Sequence, residues 1–232
     1  KLILGGANSF TGGIYLNQGE LQLATNGTLN SNSVTFGSNA SAASNYSGIM
    51  IAAPTLTLNG FDTTLGGLQT QAGYVGPSAI VQNANATAAT LTVSKATDNT
   101  FAGVIRDGTG TPTNGALSLI KSGAAVLALS GNNTYTGTTT VNQGTLVLSG
   151  TSQTTGTIDI ASNAVLELKS ATPFGSVTPV TLSGVGTVRM NGATSLGTAA
   201  DVFSMGTGGL IDVQTGSFNA GSSNNKVFTN NK

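Results

Sequence analysis

The 232-residue chain has no cysteine and no histidine, and its 8 basic and 8 acidic residues give a formal net charge of zero. This composition excludes disulfides, thiolate metal sites and any catalytic triad that needs histidine. The lack of a basic cluster argues against nucleic-acid partners and against binding to anionic membranes, while 38% hydrophobic residues and five prolines predict a folded core.

Short β-strands are predicted along the whole chain. Helical periodicity is nearly missing, because Gly or β-branched residues interrupt each candidate helix. No run of about 18 apolar residues is present that could insert into a bilayer as a helix. Eight segments alternate inward apolar with outward residues, in chain order 21–23, 56–58, 91–93, 127–129, 146–148, 158–160, 166–168 and 211–213.

One segment occurs twice. Residues 2–24, LILGGANSFTGGIYLNQGELQLA, align without gaps on residues 127–149, LALSGNNTYTGTTTVNQGTLVLS, with 11 of 23 positions identical. The shared positions are alternating leucines and turn-forming Gly and Asn, which set a fold. The repeat, the even spacing of turns and the absence of Trp favour an all-β, right-handed parallel β-helix (β-solenoid) over a sandwich or an up-and-down β fold. With roughly 20 to 25 residues per coil, the prediction is about ten coils in one continuous segment, 1–232.

The motif LALSGNNTYTG (127–137), followed by TTVNQGTLVL (139–148), resembles the autotransporter-associated β-strand repeat in passenger domains of type V secreted proteins. Residues 115–131, 98–105 and 209–219 are similar to further parts of such passengers. The resemblance implies a β-helix displayed at the bacterial outer-membrane surface, often as an adhesin or stalk. It also implies that the chain is excised from a longer passenger, with residues 228–232 starting a further coil and both ends ready to stack on other coils or copies.

The acidic residues are scattered along the chain, so no catalytic, cofactor-binding or metal-binding residue is predicted. A glycosidase would need a carboxylate pair, and a lyase would need clustered carboxylates with a base. The glycine-rich segment 206–212 occurs once and is a poor match to a calcium repeat. The eight acids are Glu20, Asp62, Asp98, Asp107, Asp159, Glu167, Asp201 and Asp212.

The outward slots of the strands predict a solvated surface. Glu20, Asp159, Glu167 and Asp212 each stand between two inward aliphatic residues, as does Arg189. A surface ion-pair cluster of Asp159, Glu167 and Lys169 on adjacent coils is expected to contribute less than about 1 kcal/mol. The same alternation predicts that five aliphatic side chains point inward, namely Leu129, Leu148, Ile160, Leu166 and Leu168.

Asparagine and threonine admit more than one interpretation. Asn8, Asn17, Asn133 and Asn142 stand at turns, where their amides are expected to hydrogen-bond the backbone of their own or the next coil. Sugar binding by exposed Asn, Thr and Tyr is the alternative.

Two further features of the sequence suggest packing and strand formation. Tyr135 and Phe10 occupy matching positions of the repeat, which favours packing over a turn. The threonines at 55, 57, 90, 92 and 138–140 show no period in the sequence, so β-propensity explains them without an ordered array.

Three functions remain open from the sequence. The first is a non-enzymatic extracellular β-helix acting as stalk, adhesin or filament subunit, which makes homotypic contacts and contacts host or matrix glycans. The second is a polysaccharide-active β-helix enzyme, which three converging carboxylates beside Arg106 or Arg189 would favour. The third is an ice- or glycan-binding solenoid, which a flat Thr-x-Thr ladder would favour.

Overall fold

The computed structural model describes residues 1–25, 27, 29–37, 52–109, 115–150, 156–174, 180–192 and 202–215. Those residues form 21 β-strands and no helix. Every pairing between these strands is parallel. Parallel pairing of strands this short requires the chain to return to the same side after each turn, so the predicted all-β parallel solenoid is confirmed.

The strands form four parallel sheets. Sheet A consists of β1 (Leu2–Leu4), β3 (Glu20–Leu23), β5 (Thr55–Thr57), β8 (Ile80–Gln82) and β11 (Val104–Arg106). Sheet B consists of β2 (Ile14–Leu16), β4 (Ser33–Phe36) and β7 (Gly67–Thr70). Sheet C consists of β6 (Thr63–Leu65), β9 (Ala89–Ser94), β12 (Leu117–Ser122), β14 (Thr139–Val141), β16 (Thr157–Ile160), β18 (Thr181–Gly184) and β20 (Val202–Met205). Sheet D consists of β10 (Asn99–Phe101), β13 (Val126–Leu129), β15 (Thr145–Leu148), β17 (Val165–Leu168), β19 (Thr187–Asn191) and β21 (Leu210–Thr215).

From β5 to β13, the order in which the chain visits the sheets defines a three-sided coil. Strands β8, β9 and β10 lie in sheets A, C and D, and β11, β12 and β13 follow the same order. One coil earlier, β5, β6 and β7 lie in sheets A, C and B. Because β7 lies beside β10, sheets B and D form one side of the solenoid. The hand of the coil and the total of about ten coils stay predictions.

The two copies of the repeated segment each form one coil. In the first copy Leu2 pairs with Leu21, and in the second Leu127 pairs with Leu146, so the sequence offset between register partners is the same in both. The first copy starts on sheet A and the second on sheet D. The repeat therefore encodes one short turn of the solenoid without fixing the side on which that turn begins. Elsewhere the offset is larger, as between the register partners Leu91 and Leu119.

The core is built from columns of apolar side chains that stack in register from coil to coil. One column on sheet D contains Leu127, Leu146, Leu166 and Val188, each at most 1% exposed. Burial of such aliphatic columns is the main source of stability for the fold. The five predicted inward residues are all buried, which confirms the predicted register of these strands: Leu129, Leu148, Ile160, Leu166 and Leu168.

Glycines allow the coils to approach closely at one corner. A Cβ atom placed on Gly131 would collide with the carbonyl oxygen of Gly103, and one on Gly150 would collide with that of Gly131. These three glycines therefore stack at the corner that follows sheet D. The structure accounts for Gly131 in the repeat by this contact between backbones.

Candidate functional site

Three aspartates hold successive coils together. The Oδ1 atom of Asp62 accepts a hydrogen bond from the Thr90 backbone N–H at 2.7 Å, and Asp98 accepts one from Val126 at 2.9 Å. Asp107 Oδ1 accepts from Leu117 N–H at 2.8 Å and from Thr136 N–H at 3.0 Å. The bonds to residues 90, 126 and 136 span 28, 28 and 29 residues of sequence. These carboxylates satisfy backbone donors, so their role is structural.

A column of alternating charge runs along sheet D. Glu167, Arg189 and Asp212 are register partners on three successive coils, and Arg189 Nε lies 3.0 Å from Asp212 Oδ2. Hydrogen bonds from Arg189 and Gln214 lower the pKa of the Asp212 carboxyl below its ordinary value. Glu167 accepts a hydrogen bond from the Asn191 side chain at 2.8 Å and pairs with Lys169 at 3.4 Å.

The predicted ion-pair cluster is only half present. Glu167 and Lys169 form the expected pair, but both lie on one coil. Asp159 lies on sheet C, away from that pair, and accepts a hydrogen bond from Ser183 at 2.9 Å. The prediction that Glu167 faces solvent is also corrected, because neighbouring coils leave its side chain only 12% exposed. Asp159 is exposed as predicted, and Asp201 lies outside the described residues.

Sequence reasoning missed a buried lysine. Lys121 takes an inward slot of β12, between its register partners Val93 and Val141, and is 2% exposed. Its ammonium donates hydrogen bonds to three backbone carbonyls, those of Ser122 (3.1 Å), Gly123 (2.7 Å) and Gln143 (3.0 Å). Burial lowers its pKa, and the nearby Asp98 opposes that shift. The alternation Leu117, Leu119, Lys121 was the available signal, since it places residue 121 inward.

The predicted hydrogen bonds between asparagine side chains and the backbone are confirmed for Asn133 and Asn8, which occupy matching positions of the repeat. Asn133 Oδ1 accepts from the Ile105 N–H of the preceding coil at 2.9 Å, and its amide donates to the Gly131 carbonyl at 3.2 Å. Asn8 makes the matching bond to the Gly6 carbonyl at 3.2 Å. Asn17 and Asn142 are exposed.

A second asparagine cluster, which the sequence reasoning missed, lies at another corner. The fully buried Asn83 accepts from Gly60 N–H at 2.7 Å and donates to the carbonyls of Thr87 (2.7 Å) and Gly115 (2.9 Å). The Asn85 amide donates to Asn59 Oδ1 at 3.3 Å.

Tyr135 fills the core, whereas its repeat partner does not. The Tyr135 side chain is 1% exposed, and its hydroxyl hydrogen-bonds with Thr139 Oγ1 at 2.7 Å. Burial raises the pKa of the Tyr135 phenol to about 12. Packing is therefore confirmed for Tyr135, but Phe10 is 38% exposed on the first described coil.

Sheet C carries two outward columns rich in hydroxyl groups, here called the hydroxyl columns. The first contains Thr90, Ser118, Thr138, Thr157 and Thr181. The second contains Thr64, Thr92, Ile120, Thr140, Asp159, Ser183 and Ser204. The expectation that these threonines form no ordered array is therefore wrong for residues 90, 92, 138 and 140. Unequal coil lengths hide the period in the sequence. Thr139 points inward, and Thr57 is buried on sheet A.

A polar groove marks the place where sheet B gives way to sheet D, here called the B–D groove. Strands β7 and β10 lie side by side in separate sheets, and amide side chains bridge them. The Asn99 amide donates to Gln69 Oε1 at 2.8 Å, and the Gln69 amide donates to Thr35 Oγ1 at 2.9 Å. A Cβ atom on Gly67 would lie 2.6 Å from Asn99 Oδ1, so Gly67 makes room for this side chain.

The lining of the groove combines one aromatic ring, several polar side chains and one carboxylate. Tyr15 is 73% exposed, and Asn99 is 7% exposed. Asn99 Oδ1 is buried and has no hydrogen-bond partner among the described residues. The lining residues are Tyr15, Asn17, Thr35, Gln69, Thr70, Gln71, Ala72, Asp98, Asn99 and Thr100.

The described part of the chain contains no group of three or more His, Cys, Asp or Glu residues that could hold a metal ion. Within the same residues, no helix has the length and apolarity of a membrane span.

Comparison with known protein families gives a match. The passenger-associated-transport-repeat family matches residues 1–23, 119–148 and 143–168. Three segments of the chain are therefore similar to this repeat. It is a repeat of autotransporter passenger domains, so the resemblance drawn from residues 127–148 is confirmed, and repeats of this kind imply a secreted or cell-surface protein. The first two matches overlap both copies of the repeat, and the third extends to the coil of β16 and β17. No curated protein and no solved structure matches the chain.

Proposed function

We propose that this passenger segment is a non-enzymatic, rod-like stalk with an adhesive surface, displayed outside a bacterial cell. The observation that carries the proposal is the use of its carboxylates between coils. Asp62, Asp98 and Asp107 each accept a backbone N–H of the next coil. Acidic side chains that hold successive coils together fit a mechanical scaffold.

The charge column on sheet D supports a structural role over catalysis. A glycosidase needs one carboxyl group with a raised pKa to act as general acid. Arg189 stands between Glu167 and Asp212 in the register and lowers the pKa of Asp212, the opposite of that requirement. Two carboxylates flank this arginine, fewer than the three that would favour an enzyme. Arg106 instead donates two hydrogen bonds to Gln82, at 2.8 and 3.1 Å.

The segment 1–232 would act as one continuous solenoid, with homotypic contacts between coils or copies and with host or matrix glycans as targets. Large apolar side chains on its surface support homotypic contacts, since Leu2 is 60% exposed and Leu210 is 54% exposed. Residues 228–232, expected to start a further coil, lie outside the described residues.

The enzymatic alternative is tested with purified protein on neutral and acidic polysaccharides, with and without calcium. We expect no release of reducing ends or unsaturated products, and no difference between wild type and an Asp159→Asn, Asp212→Asn double variant. Steady product release that the double variant loses would refute the non-enzymatic assignment. Adhesion is tested separately by the retention of protein-coated beads on matrix-coated surfaces under flow. Retention equal to that of uncoated beads would refute the adhesive part.

The hydroxyl columns favour a second candidate function, binding to ice or to a flat crystalline glycan. Within each column, side chains on neighbouring coils are about 4.8 Å apart. The two columns lie about 7 Å apart along the strand. A regular lattice of hydroxyls can match an ordered surface, although Ile120 and Asp159 interrupt the second column. Thermal hysteresis in freezing solutions tests this candidate. Thr140→Tyr should abolish it while Val75→Tyr, at a position that is 83% exposed in the turn between β7 and β8, should not; absence of hysteresis in the wild type would exclude ice.

A further inference from the structure

We propose that the B–D groove binds a neutral oligosaccharide. The inference rests on the proposed adhesive function and names the site and ligand class through which adhesion would occur. Sheets B and D are not joined by a backbone ladder. Between β7 and β10, side-chain amides make the hydrogen bonds instead.

The floor of the groove is a fixed array of hydrogen-bonding groups. Gln69 is held at both ends, because its amide nitrogen donates to Thr35 and its oxygen accepts from Asn99. Thr70 Oγ1 accepts from the Ala102 N–H at 3.0 Å. Asn99 is more than nine-tenths buried, and its Oδ1 lacks a partner within the described residues. A buried acceptor without a partner is costly, so the floor tolerates a polar group that its own side chains leave unsatisfied.

The wall of the groove supplies an aromatic platform. Tyr15 lies outward on β2, in register with Thr35 and then Gln69 on the next two coils. Its 73% exposed side chain is the kind of ring against which the C–H face of a pyranose packs, while polar groups beside it bind the hydroxyls. From Tyr15 to Thr100 the groove crosses three coil spacings, about 14 Å, which is room for about two to three sugar rings.

Charge selects a neutral ligand over an acidic one. Asp98 is the only charged residue among the lining residues of the groove. Its Oδ1 accepts a hydrogen bond from the Val126 N–H at 2.9 Å. A uronic acid or a sialic acid would place a second carboxylate beside Asp98, and like charges repel. Uncharged hexoses avoid this repulsion.

The test is a titration of the ¹⁵N-labelled 232-residue protein with cellotriose, maltotriose and mannotriose, followed by the side-chain amide signals of Gln69 and Asn99. We expect at least one neutral trimer to shift both signals with saturation, and trigalacturonate to leave them unmoved. Tyr15→Leu, which keeps an apolar side chain but removes the ring, should weaken binding about tenfold, whereas Tyr15→Phe should stay within about twofold. Asn142→Ala is the control and should bind as wild type does, because Asn142 is exposed and lies outside the groove lining.

The possible results distinguish sugar binding at the B–D groove from adhesion through another part of the surface. If none of the three neutral trimers shifts the Gln69 and Asn99 signals, the groove proposal is overturned, whatever the bead-retention assay shows. Sugar binding that is insensitive to Tyr15→Leu, or that shifts signals only on sheet C, would also overturn it and would leave the adhesive function standing. Binding at the groove without bead retention would support the site and refute its adhesive use. The circular dichroism spectrum of each variant verifies that the fold is intact.

Discussion

Replacement of Leu166 by alanine should destabilise the solenoid far more than replacement of its neighbour Glu167 by glutamine. Leu166 is fully buried and lies between Leu146 and Val188 in the inward column of sheet D. Truncation to alanine removes its apolar contacts and leaves a cavity between close-packed coils, a change that costs about 3 kcal/mol in tightly packed cores. Total stabilities are about 5–15 kcal/mol, so this is a large fraction.

Glu167→Gln is the matched control because the residue points to the other side of the same strand. Glutamine keeps an oxygen that can accept the Asn191 hydrogen bond and loses only the ion pair with Lys169, which is 45% exposed. The expected loss is below about 1 kcal/mol. Urea unfolding followed by circular dichroism measures both values, and hydrogen exchange of the β15, β17 and β19 amides shows whether the loss is local, as expected for a repeat protein. Equal effects of the two variants would refute the assigned register.

Tyr135→Phe should cost about 1 kcal/mol at neutral pH, because Thr139 loses its partner. The pKa of Tyr135 is about 12 in the folded chain against an ordinary value of 10.0, so the stability linked to the neutral phenol is present below pH 10 and is lost as pH rises through 12. The gap between the urea midpoints of wild type and variant should therefore narrow and then reverse as pH rises from 10 to 12, and a constant gap would contradict the burial of the phenol. Asp107→Ala should cost about 1–2 kcal/mol while Asp107→Asn costs less, since one oxygen accepts both backbone bonds; thermal melts that rank the two variants in reverse would oppose the structural role. Leu2→Lys combined with Leu210→Lys should reduce self-association in sedimentation velocity runs across concentration, whereas Gln22→Lys on sheet A should not; a wild type that stays monomeric throughout would refute homotypic contacts through these apolar side chains.

The class of fold could be predicted because the strands carry their own pattern. Alternation at Leu166, Glu167 and Leu168 identifies an inward column without any knowledge of neighbouring coils. Each of the eight predicted segments overlaps an observed strand. Strands that lack such a run were harder to detect. One example is β7, which begins with Gly67, a residue that leaves room for the Asn99 side chain.

The surface features could not be predicted because they depend on which residues meet across coils. Ile120 pairs with Thr92 on one side and with Thr140 on the other, and the sequence separation is larger for Thr92 than for Thr140. Offsets that change from coil to coil conceal a column from any search at one fixed period. For the same reason, the sequence alone does not reveal the aspartate contacts between coils or the B–D groove, whose lining comes from four coils. Lys121 was missed for a different reason, since a charged residue in an inward slot is rare unless its ammonium finds acceptors.

The direction of the hydrogen bonds has a mechanical consequence for a passenger held between two surfaces. Parallel strands stack along the solenoid, so the bonds between coils run along its long axis and tension along that axis pulls coils apart in succession. The coil from Leu146 to its register partner Leu166 would extend to about 70 Å once released, compared with about 4.8 Å when stacked. Each coil that peels away would therefore become more than about tenfold longer, and this extension would limit the force on the contact at the end of the stalk. Single molecules that extend in steps of about 70 Å would reveal this behaviour, and rupture without such steps would show that the coils separate together.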